Sequence, residues 1–493
     1  MKTVKWLPLF LALLLTACGS SEIVPETTIS GESDPLPETE TAPILPDMDW
    51  NDREFRVLGY HCDEYNQFST FEIDSEGETG TVVNDAIFRR NTAIEDKYHV
   101  VINEYTDGSN NEFWSSPYPQ VQSTVMAGED LYDLCFLPLG KTGTAAREHL
   151  LLDMNTLPYV DYTADYWNAD VNDTLSLAGK LYFTSSDFSL RDKNRVYILV
   201  YNKDMFVDLA LGNPIAAVRD GTWTLDVMTK WAEAAAQDLD GNGTVDYTDA
   251  FGLGSDSTNS IYPLVYGCGV QALGKESNGT PVLTLNNEHT IDALEKALAL
   301  YGQKNVTLEC EDWVGKTGTL DHNAVSGNAF YEGRELFNAS FPHVLSHYSD
   351  RCENDYGILP YPKFDEAQEL YYSYADIFSM LFAVPITCTT PDFTGFMLEA
   401  LSAASTDTSL NAYYEISCKT KYTYDEDSAD MLDLIFSNIQ YDLSRIYEIS
   451  GVSDILKQIA YDKTNTFASR YAAIETKAET DLTVLIEDLT SLS

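Results

Sequence analysis

From Glu54 onward, short apolar runs alternate with longer stretches whose apolar positions recur every three or four residues. Glu54 to Gly59 reads as a buried strand, Val83 to Tyr98 as an amphipathic helix, and His99 to Glu104 as a second strand. Phe113 to Ala127 has a helical pattern, and Tyr132 to Leu137 reads as a third strand. Strands separated by helix-length segments predict a parallel sheet in an α/β body. The alternation returns with strands at Gly179 to Thr184 and Arg195 to Tyr201. Thr224 to Ala236 is a predicted helix, with Thr224 placed to cap it and Asp226 in the favourable first turn. Asp355 to Pro360 and Ser379 to Pro385 are two later strands, and the remainder is mainly helical, as at Ser428 to Asn438.

Ahead of this body lies a segment of different character. Lys2 and Lys5 precede an apolar run, Trp6 to Leu15, that is too short to span a bilayer. Leu15-Thr16-Ala17-Cys18 then has the pattern of a bacterial lipobox. Residues 1–17 are thus expected to be a lipoprotein signal peptide, with Cys18 the lipidated residue. Up to residue 48 the chain is rich in Ser, Thr, Pro and Glu, with almost no aromatic residues to build a core, and reads as a disordered linker. The roughly 445 residues beyond it exceed one core and suit two or three lobes.

Composition narrows the classes. A net charge of −48 disfavours nucleic acid and anionic lipid surfaces, which would be repelled. Thirty-one tyrosines supply apolar faces with polar tips. Apart from Cys18 there are seven widely spaced cysteines, Cys62, Cys135, Cys268, Cys310, Cys352, Cys388 and Cys418, with no C-x-x-C. That odd set is neither a disulfide framework nor a zinc ribbon, and most are expected to be buried free thiols.

One motif carries metal chemistry. Asp238, Asp240, Asn242, Asp246 and Asp249 occupy positions 1, 3, 5, 9 and 12 of a loop with Gly243 at 6. Calcium takes six to eight hard oxygens around such a turn, and the Thr244 carbonyl would serve at position 7. Residue 12 is Asp, shorter in reach than the usual Glu. A structural calcium ion is therefore the expected cofactor. Catalytic motifs are missing: there is no G-x-S-x-G. Gly140-Lys141-Thr142 and Gly315-Lys316-Thr317 each have cysteine where a phosphate loop needs its first glycine. His343 and His347 lack the glutamate of H-E-x-x-H.

Trp223-Thr224-Leu225-Asp226, the Asp/Gly loop and Ala250-Phe251-Gly252-Leu253 together resemble the family-1 extracellular solute-binding proteins of ABC importers. So do Asn84 to Asn91, Gly357 to Lys363, Ala412-Tyr413-Tyr414 and Asp430 to Phe436. The resemblance implies a two-lobed, type II periplasmic-binding-protein-like α/β fold with a hinge, an interlobe cleft and a helical C-terminal portion. By analogy, residues 49–160 with 351–388 form the N-terminal lobe, and 161–350 with 389–493 the C-terminal lobe. It further implies a monomer, not an enzyme, lipid-anchored on the outer face of the bacterial cell membrane. Such a protein captures a small ligand, a sugar or oligosaccharide, and delivers it to ABC permease subunits.

Sugar sites pair aromatic platforms with carboxylates and amides, and pockets of α/β sheets lie beyond the carboxyl ends of strands. The candidates are therefore strand-to-loop junctions: Tyr60 and His61, Trp167 at the crossing between lobes, Asp187, Tyr266, Phe341, and Tyr374 with Asp376. Trp223 and Trp231 are assigned to packing of the loop's helix. Two carboxylates at a set separation would suffice for a glycosidase, and the anchor and linker equally suit a surface adhesion module. Both alternatives stay open at this level.

Overall fold

The apolar runs become strands, and long-range pairing gathers most of them into two sheets. The computed structural model describes residues 45–62, 69–73, 75, 77–107, 116–255, 260–276, 279–316, 322–422 and 425–491. The signal peptide, Cys18 and nearly all of the linker lie outside these residues. All described residues belong to one compact unit, and no described helix is long and apolar enough to cross a membrane.

In chain order the strands are β1 (Arg53–Tyr60), β2 (Val100–Asp107), β3 (Leu134–Pro138), β4 (Ile198–Asn202), β5 (Phe251–Ser255), β6 (Leu273–Lys275) and β7 (Pro281–Leu283). They continue as β8 (Thr307–Glu309), β9 (Glu335–Ser340), β10 (Tyr356–Leu359), β11 (Ser373–Tyr374), β12 (Met380–Ala383) and β13 (Ile439–Gln440). The first sheet has the order β12-β3-β1-β2 and the second β10-β4-β9-β5-β8. As the helix-length spacing predicts, β1 pairs parallel to both β2 and β3, with Arg53 opposite Val100 and Val57 opposite Leu134. The later strands make both sheets mixed: β12 runs antiparallel to β3, and β4 antiparallel to β9 and β10. The expected strand at Gly179 to Thr184 is reduced to two isolated bridges, Leu177 with Lys180 and Thr184 with Phe382.

Pairing moves the expected lobe boundaries at two points. Tyr356–Leu359 joins the second sheet, because its backbone completes the edge of β4. Helix Pro391–Ser405 goes to the first, where Phe393 and Phe396 pack edge-on against Trp50, Phe55 and Tyr98. Tyr166, Trp167 and Phe188 are buried in the same core cluster as Phe393 and Phe396. The C-terminal helices then bridge both sheets. Helix Leu139–Arg147 approaches the 443–446 turn so closely that a side chain at Gly143 would strike the Ile446 carbonyl.

Local signals otherwise hold. Helix Leu225–Ala235 starts where expected, with the Thr224 hydroxyl accepting from the Val227 N–H. Trp223 and Trp231 stack at 5.5 Å beneath it, and the Trp223 indole donates to the Pro360 carbonyl. Among the described residues six of the seven cysteines are buried, and Cys352 is partly exposed.

The second sheet buries a carboxyl. Glu335 on β9 is fully enclosed, accepts from the Asn338 amide at 2.6 Å, and fits only because Gly254 on β5 has no side chain. Burial pushes its pKa up to about 8, against opposing pulls from Asn338 and Arg334. The folded chain therefore holds a proton that the unfolded chain releases near its ordinary value of 4.5. This contribution is fully present below that value and is lost as pH rises through about 8. Glu335→Gln should remove a stability loss on the order of a few kcal/mol between those limits; urea titrations across the range check this, and an unchanged pH slope contradicts it.

Candidate functional site

Two segments cross between the sheets side by side. Val196 bridges Ala375 in antiparallel fashion; the Asp376 N–H donates to the Arg195 carbonyl and the Tyr197 N–H to the Tyr374 carbonyl, both at 2.9 Å. A third segment joins when β11 pairs parallel with β13, and the Ala375 N–H donates to the Gln440 carbonyl at 3.0 Å. Residues opposite one another in an antiparallel pair share a face. Arg195, Tyr197, Tyr374 and Asp376 therefore project together.

That face is aromatic and ionic. Tyr197 and Tyr374 stack at 6.0 Å, and Tyr197 packs on Phe341 at 4.3 Å. Tyr374 continues onto Tyr266 at 5.0 Å with rings 10° apart, and onto Tyr262 at 5.9 Å. Tyr262 and Tyr266 come from helix Ile261–Gly267, which follows β5, and a spacing of four places both on one helix face. The Arg195 guanidinium lies 3.6 Å from the Asp376 carboxylate and 5.4 Å from the Phe341 ring. Arg445 covers Tyr262 and donates to the Tyr374 hydroxyl at 3.0 Å. The Tyr266 hydroxyl donates to Asp442 at 2.6 Å.

Beside this stack lies a cavity of about 200 Å³, lined by Tyr266 and Tyr374 together with Gln440, Asp442, Asp173 and Lys275. Burial and the Asp442 charge hold the Tyr266 hydroxyl well above its ordinary pKa, and burial raises Tyr374 to about 12. Both hydroxyls are thus neutral and able to donate or accept. Burial also raises Asp376, with Arg195 and Arg445 opposing. Tyrosines, glutamine amides and the Asp173 and Asp442 carboxylates around a small space are groups able to hydrogen-bond a polyol.

Four expected residues meet here: Tyr266, Phe341, Tyr374 and Asp376. The others do not join them. Tyr60 is buried within the first sheet's core, its backbone clasped by Thr70, and His61 after it is exposed. Trp167 is buried against Tyr162 and Phe382, with its indole N–H on Glu399 at 2.7 Å, which makes it core. Asp187 is held by the Thr406 hydroxyl. The expected set omitted Tyr197, Tyr262, Gln440, Asp442, Arg445 and Lys275. Only the Tyr262–Tyr266 spacing signals one of them locally.

The Asp/Gly loop has a definite geometry. Asp238, Asp240 and Asp249 each bring a carboxylate oxygen within 4.8 Å of the others, Asp249 fully buried and the other two exposed. Gly241 and Gly243 adopt left-handed backbone at φ 69° and 81°, which a side chain would resist. Asn242 accepts from the Thr244 N–H and Asp246 from the Thr248 N–H. Arg334, just before β9, grips the loop through the Tyr247 and Asp249 carbonyls. Three converging carboxylates and a tight glycine turn fit a hard divalent cation.

No family model matches the sequence, and no curated protein sequence is significantly similar to it. Solved structures do match. The galacto-N-biose/lacto-N-biose I-binding protein of an ABC transporter from Bifidobacterium longum, solved with lacto-N-biose, aligns over 90% of this chain and 98% of its own, at 12% identity and TM-score 0.57. A cyclo/maltodextrin-binding protein complexed with maltotetraose aligns over 89% and 97%, at 12% and 0.54. An extracellular solute-binding protein from Staphylococcus aureus, in complex with maltose, aligns over 89% and 97%, at 15% and 0.53. Alignment over nearly all of each chain shows that this protein has their mixed α/β fold.

Proposed function

We propose that this chain is a lipid-anchored solute receptor that captures a carbohydrate between its two sheet bodies and delivers it to an ABC permease. One observation carries the reading: Tyr374 of the crossing and Tyr266 of the helix after β5, stacked on one another, line a polar cavity. Tyrosine faces match the apolar faces of pyranose rings, while Asp442 and Gln440 match their hydroxyls. The sugar complexes among the structures of the same fold support this class of ligand. The site binds and does no chemistry on its guest. Cys18 carries the anchor, and the linker after it gives the receptor reach on the outer face of the membrane.

Binding of a sugar stabilises the folded chain by mass action, about 2.7 kcal/mol at a hundredfold excess over Kd. A panel of mono- and oligosaccharides, and peptides as controls, should therefore include sugars that raise the Tm with no product formed. A Tm unmoved by every sugar contradicts the proposal. Tyr266→Phe, which frees Asp442 from its hydroxyl partner, should lower stability by about 1 kcal/mol in urea titrations and weaken sugar binding.

The loop at residues 238–249 would hold a structural calcium through Asp238, Asp240, Asn242, the Thr244 carbonyl, Asp246 and Asp249. When bound, the ion supplies charge that offsets carboxylate repulsion and so stiffens the turn. Asp249 also braces the loop by accepting from the Leu239 and Asp246 N–H groups at 2.8 Å. A chelator should lower the Tm by several degrees, and excess calcium should restore it. Asp240→Ala should abolish that response while leaving the chelated Tm nearly unchanged. Indifference of the native chain to the chelator contradicts the assignment.

A further inference from the structure

We propose that Lys275 sets the length of sugar this receptor accepts, strapping one side of the cavity so that one or two rings fit and longer chains are refused. The inference rests on the carbohydrate reading above. Its first support is size: about 200 Å³ falls below the roughly 300–1,000 Å³ of sites for drug-sized ligands. A tetrasaccharide needs more room than that. The cavity is also closed at its inner side, where Tyr266 and Tyr374 stack and Asp442 is engaged by Tyr266 and by the 444–445 backbone.

The second support is the strap itself. Lys275 ends β6 of the small β6–β7 hairpin, which follows the helix bearing Tyr266. Its ammonium donates to the backbone carbonyl of Asp173 and lies 3.6 Å from the Asp173 carboxylate. Asp173 sits on helix Ala169–Leu175, which is tied to the first sheet: Asn172 accepts from the Thr184 hydroxyl, and Thr184 bridges Phe382 of β12. The contact thus runs from one sheet body to the other, and both of its residues line the cavity. The Lys275 side chain is only 21% exposed while that of Asp173 is 86% exposed. Most of the Lys275 side chain is thus covered, while its charged head meets an exposed partner. Burial lowers the lysine's affinity for its proton and Asp173 opposes that, in keeping with a partly desolvated strap.

Isothermal titration of the full chain in detergent, with glucose, galactose, maltose, lactose, maltotriose and maltotetraose, tests this. In the native protein, a one- or two-ring sugar should bind at least about tenfold more tightly than the tetrasaccharide. Lys275→Ser should narrow that gap to less than about threefold, mainly by gaining affinity for the longer chains. A native protein that binds maltotetraose as tightly as its best short sugar overturns the inference and leaves the carbohydrate reading standing. So does a gap that Lys275→Ser leaves unchanged. Binding of none of the six overturns both. Should Lys275→Ser fold poorly, Lys275→Ala takes its place with the same expected narrowing, and a gap it leaves unchanged overturns the inference.

Discussion

The rest of the molecule depends on the hydrogen-bonded crossing at residues 195–197 and 374–376. Every buried backbone group in a chain passing between two cores needs a partner, and here the crossing segments supply one another. Pairing also fixes register, and register fixes facing: a slip of one residue would turn Tyr197 and Tyr374 to the opposite side. Arg195 and Asp376, opposite one another at the same crossing, are both nearly buried. Each charge helps to offset the burial of the other, and Arg445 adds to the field at Asp376. The crossing is thus specified by backbone pairing, by side-chain facing and by charge together.

From that crossing the site follows by short steps. Tyr374 is placed by the ladder, Tyr266 and Tyr262 by a helix that begins after β5, and Phe341 by the end of β9. Offset aromatic stacking holds these rings at fixed spacing without satisfying their hydroxyls. Asp442 and Arg445 then take up two of the hydroxyls, so the polar edge of the stack is ordered before any guest arrives. A rigid platform loses little entropy on binding, which suits a receptor for small, heavily hydrated molecules. On the proposed reading, motion is left to the two sheet bodies, as in hinge closure generally.

Local order was readable from the chain because it is set by local causes. The β1 strand, the helix after it and the Thr224 cap follow from periodicity and from one hydroxyl in the right place. Pairing between distant segments left no such trace. Tyr356–Leu359 has the same apolar character whichever sheet edge it completes, and the choice fell to β4. The site shows the same division. Tyr266, Phe341 and Tyr374 sit at junctions like those of Tyr60 and Trp167, and their neighbourhoods in sequence look alike. What separates them is distant: Glu399 accepts the Trp167 indole and turns it into core, whereas Tyr374 finds Tyr197 and Tyr266 across the crossing. Gln440, Asp442 and Arg445 escaped notice because they lie far along the chain, in a segment that reaches the cavity only through β13.

The central claim is that two sheet bodies swing about this crossing and close on a sugar. Met126 and Val207 are suitable reporters, being 78% and 77% exposed on helices that follow β2 of the first sheet and β4 of the second. Cysteine replacements there, with Cys352 changed to serine and the remaining described thiols buried, would carry spin labels for pulsed dipolar distance measurement. The account predicts a broad distance distribution without sugar that contracts to a shorter, narrower one when the sugar binds. A single distance that is the same with and without a bound sugar would contradict it.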